Sequence, residues 1–377
     1  MLLAVVVAIA TGGTTIAVAG GGGGPKPRPK ALASALHDAL SAKAPNGITA
    51  RIAFTSRLFP SAISGGEHVS ALIAGASGRL WARNDGHGRI ELQSSSGDVQ
   101  IIWGAGKLTV YDASSNTVYR VTLPKHRHGA ERADSRAKST PSASRIARFL
   151  ATLREQASVS AARSTDVAGR PAYSVTIGPK RDGGLLGAAE LAWDAVRGVP
   201  LRAALYAKGS SNPVLALEVT DISFGRVPLS YIALAPPPSA KTVDLGRPLR
   251  TRRHARLHGH AALLRHAARD LGFTVLAPAT LGGLVRTSER TVGAHAALVV
   301  YGHGLDALVV LERKAGANRA HNGPFAGLPT VALDGVTGHE LATQLGTAIA
   351  WQRNGIAFVL AGSHPSSDVE AAARGLK

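Results

Sequence analysis

The stretch Asp166–Ala207 is written in period two. Tyr173, Val175 and Ile177 fall on one face of an extended chain, and Ala172, Ser174 and Thr176 on the other. After a Gly-rich reversal at Asp182-Gly183-Gly184, Leu191 and Trp193 alternate with Glu190, Ala192 and Asp194. A short turn, Ala195-Val196-Arg197-Gly198, then returns the chain into Leu201, Ala203 and Leu205. Alternation bounded by turn residues specifies antiparallel strands with one face buried and one face wetter. A helix cannot be drawn through this pattern, so the sheet is the constraint on everything else.

The same grammar runs upstream. Strands are expected at Ile48–Thr55, Arg79–Arg83, Arg89–Ser94, Val99–Trp103, Leu108–Asp112 and Thr117–Leu123. Asn84-Asp85-Gly86, Ser96-Gly97-Asp98, Gly104-Ala105-Gly106 and Ser114-Ser115-Asn116 break them. Two amphipathic helices interrupt this meander. Leu32, Leu36 and Leu40 form a stripe on Ala31–Ala44, either core packing or a movable lid. Ser142 or Ser144 caps a second helix to about Gln156, with Ile146, Phe149, Leu150 and Leu153 on one face. Alternation continues through Val214–Val219, Ile222 and Phe224; Pro236-Pro237-Pro238 and an Arg-rich run to Arg256 read as a linker.

A smaller α+β module follows. It is expected to hold a helix at His258–Leu271 and strands near Val285–Thr291, Ala297–Tyr301, Ala307–Glu312 and Thr330–Leu333, then the segment His339–Leu345. Ile349–Arg353 and Ile356–Ala361 flank Asn354-Gly355, the strongest hairpin signal in the chain. Ser367-Asp368-Val369-Glu370 reads as a capping box opening a last helix.

Four phrases carry a family resemblance: G-R-L-W-A-R (Gly78–Arg83), V-Y-D-A-S-S-N-T-V-Y (Val110–Tyr119), D-V-A-G-R-P-A-Y (Asp166–Tyr173) and W-D-A-V-R-G-V-P-L-R (Trp193–Arg202). Over roughly Ala31–Leu245 the chain resembles the LolA/RseB superfamily of outer-membrane lipoprotein carriers and sigma-factor regulatory proteins. The C-terminal module, F-T-V-L-A-P (Phe273–Pro278) and A-W-Q-R-N-G-I-A-F-V-L-A-G-S (Ala350–Ser363), is similar to the small domain of RseB-type proteins. The resemblance implies an α+β fold: an incomplete antiparallel β-barrel of about eleven strands with helical lids, followed by a small α+β domain. It implies no catalytic residue. The domain layout expected is residues 1–30 as signal peptide or membrane anchor plus Pro/Gly tether, 31–245 as the half-barrel, 246–257 as a basic linker and 258–377 as the small domain.

The formal net charge of +19 invites a nucleic-acid reading. More than half of it, however, sits in three segments: Lys26–Lys30, Lys125–Lys138 and Arg247–Arg256. These carry no aromatics to stack on bases, so no nucleic-acid partner is expected. A solvated basic surface near anionic lipid headgroups is the expectation instead. Leu2–Val18 is uncharged and apolar, and Ala17-Val18-Ala19 fits a signal-peptidase site, although the basic n-region is missing. The chain is thus expected outside the cytoplasm, cleaved or anchored. With no cysteine there is no lipobox acylation, disulfide or thiolate metal site.

The search for catalytic chemistry comes up short. His339-Glu340 begins like a zinc-protease helix, but Thr343 stands where the second histidine is required. His254, His258, His260 and His266 lie among arginines with no carboxylate and read as a solvated linker. Asp98, Asp112, Asp166 and Asp194 sit at reversals, where Asx-turn capping is the simplest role. No metal, cofactor or catalytic residue is expected, and the protein is read as a non-enzyme. Leu36, Leu40, Trp81, Trp103, Tyr111, Phe149, Leu153, Tyr173 and Trp193 are the candidates for lining an apolar cavity; for the aromatics, plain core is the competing reading. The expected function is carrier-like binding of lipid or an acylated protein. The alternative is an RseB-like envelope-stress regulator that binds a membrane anti-sigma factor.

Overall fold

Tight turns set the architecture. Asn354 and Gly355 both adopt positive φ (51° and 74°), as do Asp334-Gly335, Ala105-Gly106 and Ala168-Gly169, the backbone of two-residue hairpins matched to strand twist. The computed structural model describes residues 25–59, 70–95, 97–122, 141–180, 184–244, 271–292, 296–315 and 328–377. The expected signal segment Leu2–Val18, the basic segment 125–138, the linker 246–257 and, apart from Leu271, the helix from His258 lie outside them. The chain divides into two compact units: Met1–Gly178 with Ala188–Pro248, and Pro179–Gly187 with Leu249–Lys377.

In the first unit, β1 (Gly47–Ser56), β2 (Ala76–Arg83), β3 (Gly88–Ser94), β4 (Gly97–Gly104), β5 (Lys107–Asp112) and β6 (Thr117–Thr122) form an antiparallel meander. β7 (Ala157–Val159), β8 (Arg163–Val167), β9 (Arg170–Pro179), β10 (Leu186–Asp194), β11 (Pro200–Ala207) and β12 (Pro213–Phe224) return to pair with β1. β13 (Lys241–Asp244) runs parallel to β6 at the far edge. The result is a curled sheet of thirteen strands. The sequence suggests about eleven; β7, β8 and β13 are too short to show alternation. α1 (Leu32–Ser41), the single turn α2 (Ala71–Ala74) and α3 (Ala143–Gln156) complete the unit. Ser142 caps α3, its Oγ accepting from the Arg145 amide at 3.3 Å.

One expectation needs correcting within β9. Ala172–Val175 are all buried, so both faces are covered there instead of one being wet. Ala172 is the register partner of Asp194, whose carboxylate is buried against Arg170 on that second face.

The second unit is an eight-stranded antiparallel half-barrel. β14 (Thr280–Leu281), β15 (Leu284–Val292), β16 (Ala296–Tyr301), β17 (Leu308–Lys314), β18 (Thr330–Leu333), β19 (Val336–Thr343), β20 (Gly346–Arg353) and β21 (Ile356–Gly362) take the order β14-β15-β16-β17-β21-β20-β19-β18. Val299, Tyr301, Val310, Ile349, Trp351, Phe358 and Leu360 make its core, closed by Val369, Ala372 and Ala373 of α4 (Ser366–Arg374). Trp351 and Phe358 are register partners with rings stacked 5.1 Å apart. The reversal joining β9 to β10 belongs to this unit: the Leu185 amide donates to the Ser363 carbonyl, and the Leu186 amide to Ser363 Oγ, each at 2.7 Å.

The expected capping box does not form. α4 begins two residues earlier, with Pro365 at its N-cap, so Ser367 is already helical and bonds the adjacent Asp368. Ser366 donates to Glu340 at 2.6 Å, and Glu370 pairs instead with Arg374 at i+4.

Candidate functional site

Register decides which side chains share a face, because directly opposed residues point the same way. Ala50, Leu80, Ile90, Ile101, Val110 and Tyr119 are successive partners from β1 to β6. Ile48, Ala82, Gly88, Trp103, Leu108 and Val121 form the next row on that face. Across β1 the face continues through Ile52–Val219 and Phe54–Leu217–Ala203. On β9 and β10 the partners Tyr173–Trp193 and Val175–Leu191 share one face. The opposite side of that end is polar. Arg202 pairs with Glu218 and Glu190, and the Tyr206 hydroxyl donates to Glu190 at 2.6 Å. Burial, with the Glu190 carboxylate adding to it, raises the Tyr206 phenol above its ordinary range.

Two helices cover the Tyr173–Trp193 face of β9 and β10. Leu32 and Ala35 of α1, with Ile146 and Leu150 of α3, pack on Tyr173, Val175 and Trp193 as one buried cluster. The Tyr173 hydroxyl donates to the Arg28 carbonyl at 2.6 Å ahead of α1. His37 Nδ1 donates to the Pro141 carbonyl at 2.9 Å, joining α1 to the lead-in of α3. The turn after β10 seats the end of α1. Gly198, at φ +68°, lies so close to the Ala39 carbonyl that a Cβ would overlap it.

That turn explains the resemblance motifs physically. Asp194 is fully buried; its Oδ1 accepts the amides of Val196 and Arg197, each at 2.8 Å, and its Oδ2 accepts from Arg170 Nε. The guanidinium groups of Arg170 and Arg197 both stack on Phe224, 4.8 and 4.4 Å from the ring centre. Asp194 is thus an Asx cap, as is Asp112, which holds the amide and hydroxyl of Ser114.

The nine candidate lining residues separate into groups. Tyr173 and Trp193 meet under the helices, ring centres 6.1 Å apart. Trp103 lies across Gly88, its indole filling the space a side chain there would need. Leu36 and Leu153 are half-buried on the two helices. Leu40 and Phe149, 59% and 65% exposed, point away. An i, i+4, i+8 stripe drifts by ~40° per step, which carries Leu40 off the buried line begun by Leu32. Trp81 and Tyr111 stand on the sheet face opposite Trp103 and Val110. Tyr111 donates to Asn116 at 3.3 Å; Trp81 packs on Val227, Ile232 and Ile102, with the Arg89 guanidinium 5.1 Å over its ring.

His339-Glu340 lies on strand β19 and not on a helix. Among the described residues, no group of three or more His, Asp or Glu is placed to hold a metal. No helix among them is long and apolar enough to cross a membrane. Sequence reasoning passed over Val227–Leu234; its signal was an apolar run, L-S-Y-I-A-L, with no strand to pair with.

No family model matches the sequence, and no curated protein matches it. Solved structures do. The chain is similar to MucB in the Pseudomonas aeruginosa MucA/MucB complex, at 15% identity over 90% of this chain and 95% of that one, with a TM-score of 0.42. MucB solved alone gives 17% identity, the same coverage and a TM-score of 0.39. A LolA superfamily protein from Nitrosomonas europaea matches over 54% of this chain and 98% of its own, at 12% identity and a TM-score of 0.23.

Proposed function

We propose that the first unit is a non-enzymatic, extracytoplasmic binding domain. It takes up the acyl chain of a lipid or acylated protein against its apolar face, with α1 and α3 as the movable cover. The observation that carries this reading is the helix pair itself. It buries Tyr173, Val175 and Trp193 through a single small cluster while leaving Leu40 and Phe149 largely in solvent. Lifting the cover exposes three large side chains, Leu32, Ile146 and Leu150, at about 1.5–3 kcal/mol each. Each buried methylene returns ~0.8 kcal/mol, so a chain of roughly ten methylenes offsets the opening. Short acyl groups should then fail to bind, and long ones succeed.

The test is native mass spectrometry of the purified protein for retained lipid, followed by displacement of a fluorescent fatty acid by acyl chains of increasing length. Retained lipid, a threshold in chain length, and weaker binding by the Leu36→Ser/Leu153→Ser double variant are expected. A protein that retains no lipid and binds no chain of any length overturns the proposal. Capture of a membrane-anchored regulatory protein that is unaffected by that double variant would favour the RseB-like alternative.

A further inference from the structure

The segment after β12 is built unlike an ordinary connection. Val227 and Ile232 are buried against Trp81, on the sheet face opposite Leu80 and Ile101, with Ile102 packed beside them. Two arginines hold its carbonyls from below: Arg83 donates to Val227 at 2.8 Å, and Arg89 donates to Tyr231 at 3.2 Å. Leu229–Tyr231 is a 3-10 turn, closed by the Ile232 and Ala233 amides on the Leu229 carbonyl at 3.0 and 2.9 Å. The anchors all lie on the underside. The upper side presents Leu229, Tyr231 and Leu234, which are 50%, 55% and 43% exposed.

Covering the sheet requires only Val227 and Ile232. Polar side chains at 229, 231 and 234 would serve a plain connection as well, so the exposed apolar trio on a pinned turn needs its own reason. The segment's own charges are of one sign, while Asp85 and Glu91 pair with the two anchoring arginines beneath it. Between Asp221 and Asp244 the chain carries no carboxylate, and its cations there, Arg226 and Lys241, are both exposed.

We infer that Val227–Leu234 is a docking turn that seats the first unit on an anionic lipid surface. Three side chains cannot supply the ~800 Å² per partner that a stable protein interface buries. They suffice for shallow insertion when long-range attraction does the rest, and a chain of net charge +19 has that attraction toward anionic headgroups. Tyrosine belongs at such a boundary, its ring among acyl carbons and its hydroxyl in the headgroup layer. The docking turn is independent of what the helix-covered face takes up.

The test is flotation of the full chain with phosphatidylcholine vesicles, either pure or containing about 30 mol % phosphatidylglycerol. Binding to the anionic vesicles, weakened by high salt, and none to neutral ones is expected. The Leu229→Ser/Tyr231→Ser/Leu234→Ser variant should lose ~tenfold or more in vesicle affinity. Its melting temperature should fall by no more than a few degrees, since about half of each replaced residue is already in solvent. Tyr231→Trp should gain emission that is quenched by brominated lipid. The helix variant Leu36→Ser/Leu153→Ser should dock normally, which separates this surface from the acyl site. Undiminished binding by the triple variant would place the attachment in the basic segments and overturn the inference. So would absence of vesicle binding by the parent, or added emission in Tyr231→Trp that brominated lipid leaves unquenched.

Discussion

Gly198 lies directly against the carbonyl of Ala39, with no room for a Cβ between the turn after β10 and the last turn of α1. The position also requires φ +68°, where an L side chain is strained. Gly198→Ala therefore meets two independent penalties and should destabilise the first unit by about 2–4 kcal/mol. Urea melts followed by tryptophan emission would measure this. If α1 is the cover proposed above, the variant should also bind acyl probes with altered affinity.

The buried Asp194 carboxylate does two jobs that substitution can separate. Asparagine keeps an acceptor for the Val196 and Arg197 amides but loses the charge facing Arg170. Alanine loses both. Asp194→Ala should cost about 3–5 kcal/mol and Asp194→Asn distinctly less, about 1–3 kcal/mol. Equal costs in denaturant melts would show that the ion pair alone matters.

The second unit carries a pH dependence that runs opposite to the usual carboxylate. Glu312 is fully buried on the core face, in register with Phe358. One oxygen accepts the Leu276 amide at 2.9 Å, and the other has no hydrogen-bond partner among the described residues. Burial pushes its carboxyl up from 4.5 to about 7, only partly countered by that amide. Between those values the folded state holds a proton that the unfolded chain has released. Stability should therefore be full below about pH 4.5, fall as the pH rises to about 7, and then level off, with a total change of about 3 kcal/mol. Glu312→Gln should flatten this slope and exceed the parent's stability at pH 8, read from denaturant melts at several pH values.

Ala168 holds φ +52° in the two-residue turn between β8 and β9, ahead of Gly169. Asparagine tolerates this conformation far better than alanine. Ala168→Asn should stabilise the first unit by roughly 0.5–1 kcal/mol, seen as a rise in melting temperature of a few degrees. Ala105→Asn in the β4–β5 turn, at φ +50°, is expected to do the same.

Strand positions were legible because period-two alternation survives without knowledge of neighbours: Val99–Trp103 was expected and Gly97–Gly104 is found. The face each strand presents was not, since that depends on pairing. Trp81 opposes Thr49 and Arg89, whereas Trp103 opposes Gly88 and Leu108, and this alone sends the two indoles to opposite sides of the sheet. Helical stripes misled in a related way. Phe149 has the spacing of a core residue beside Ile146 and Leu150, yet it sits at the edge of the stripe and ends in solvent. The Asp334-Gly335 hairpin is legible in the letters alone, and the partners Leu333 and Val336 close its turn. The pinned segment Val227–Leu234 was hidden for a different reason. Its anchors, Arg83 and Arg89, are more than 140 residues away in sequence.

The chain passes between its two units three times, after Gly178, after Gly187 and after Pro248. A genetic break after Pro248 would leave the first fragment still carrying residues 179–187 and strip the second unit of the reversal that hydrogen-bonds Ser363. Neither unit can be gained, lost or exchanged cleanly by a single recombination event. The two should therefore be inherited as a pair, and lineages that shed one are expected to have rebuilt the β9–β10 reversal.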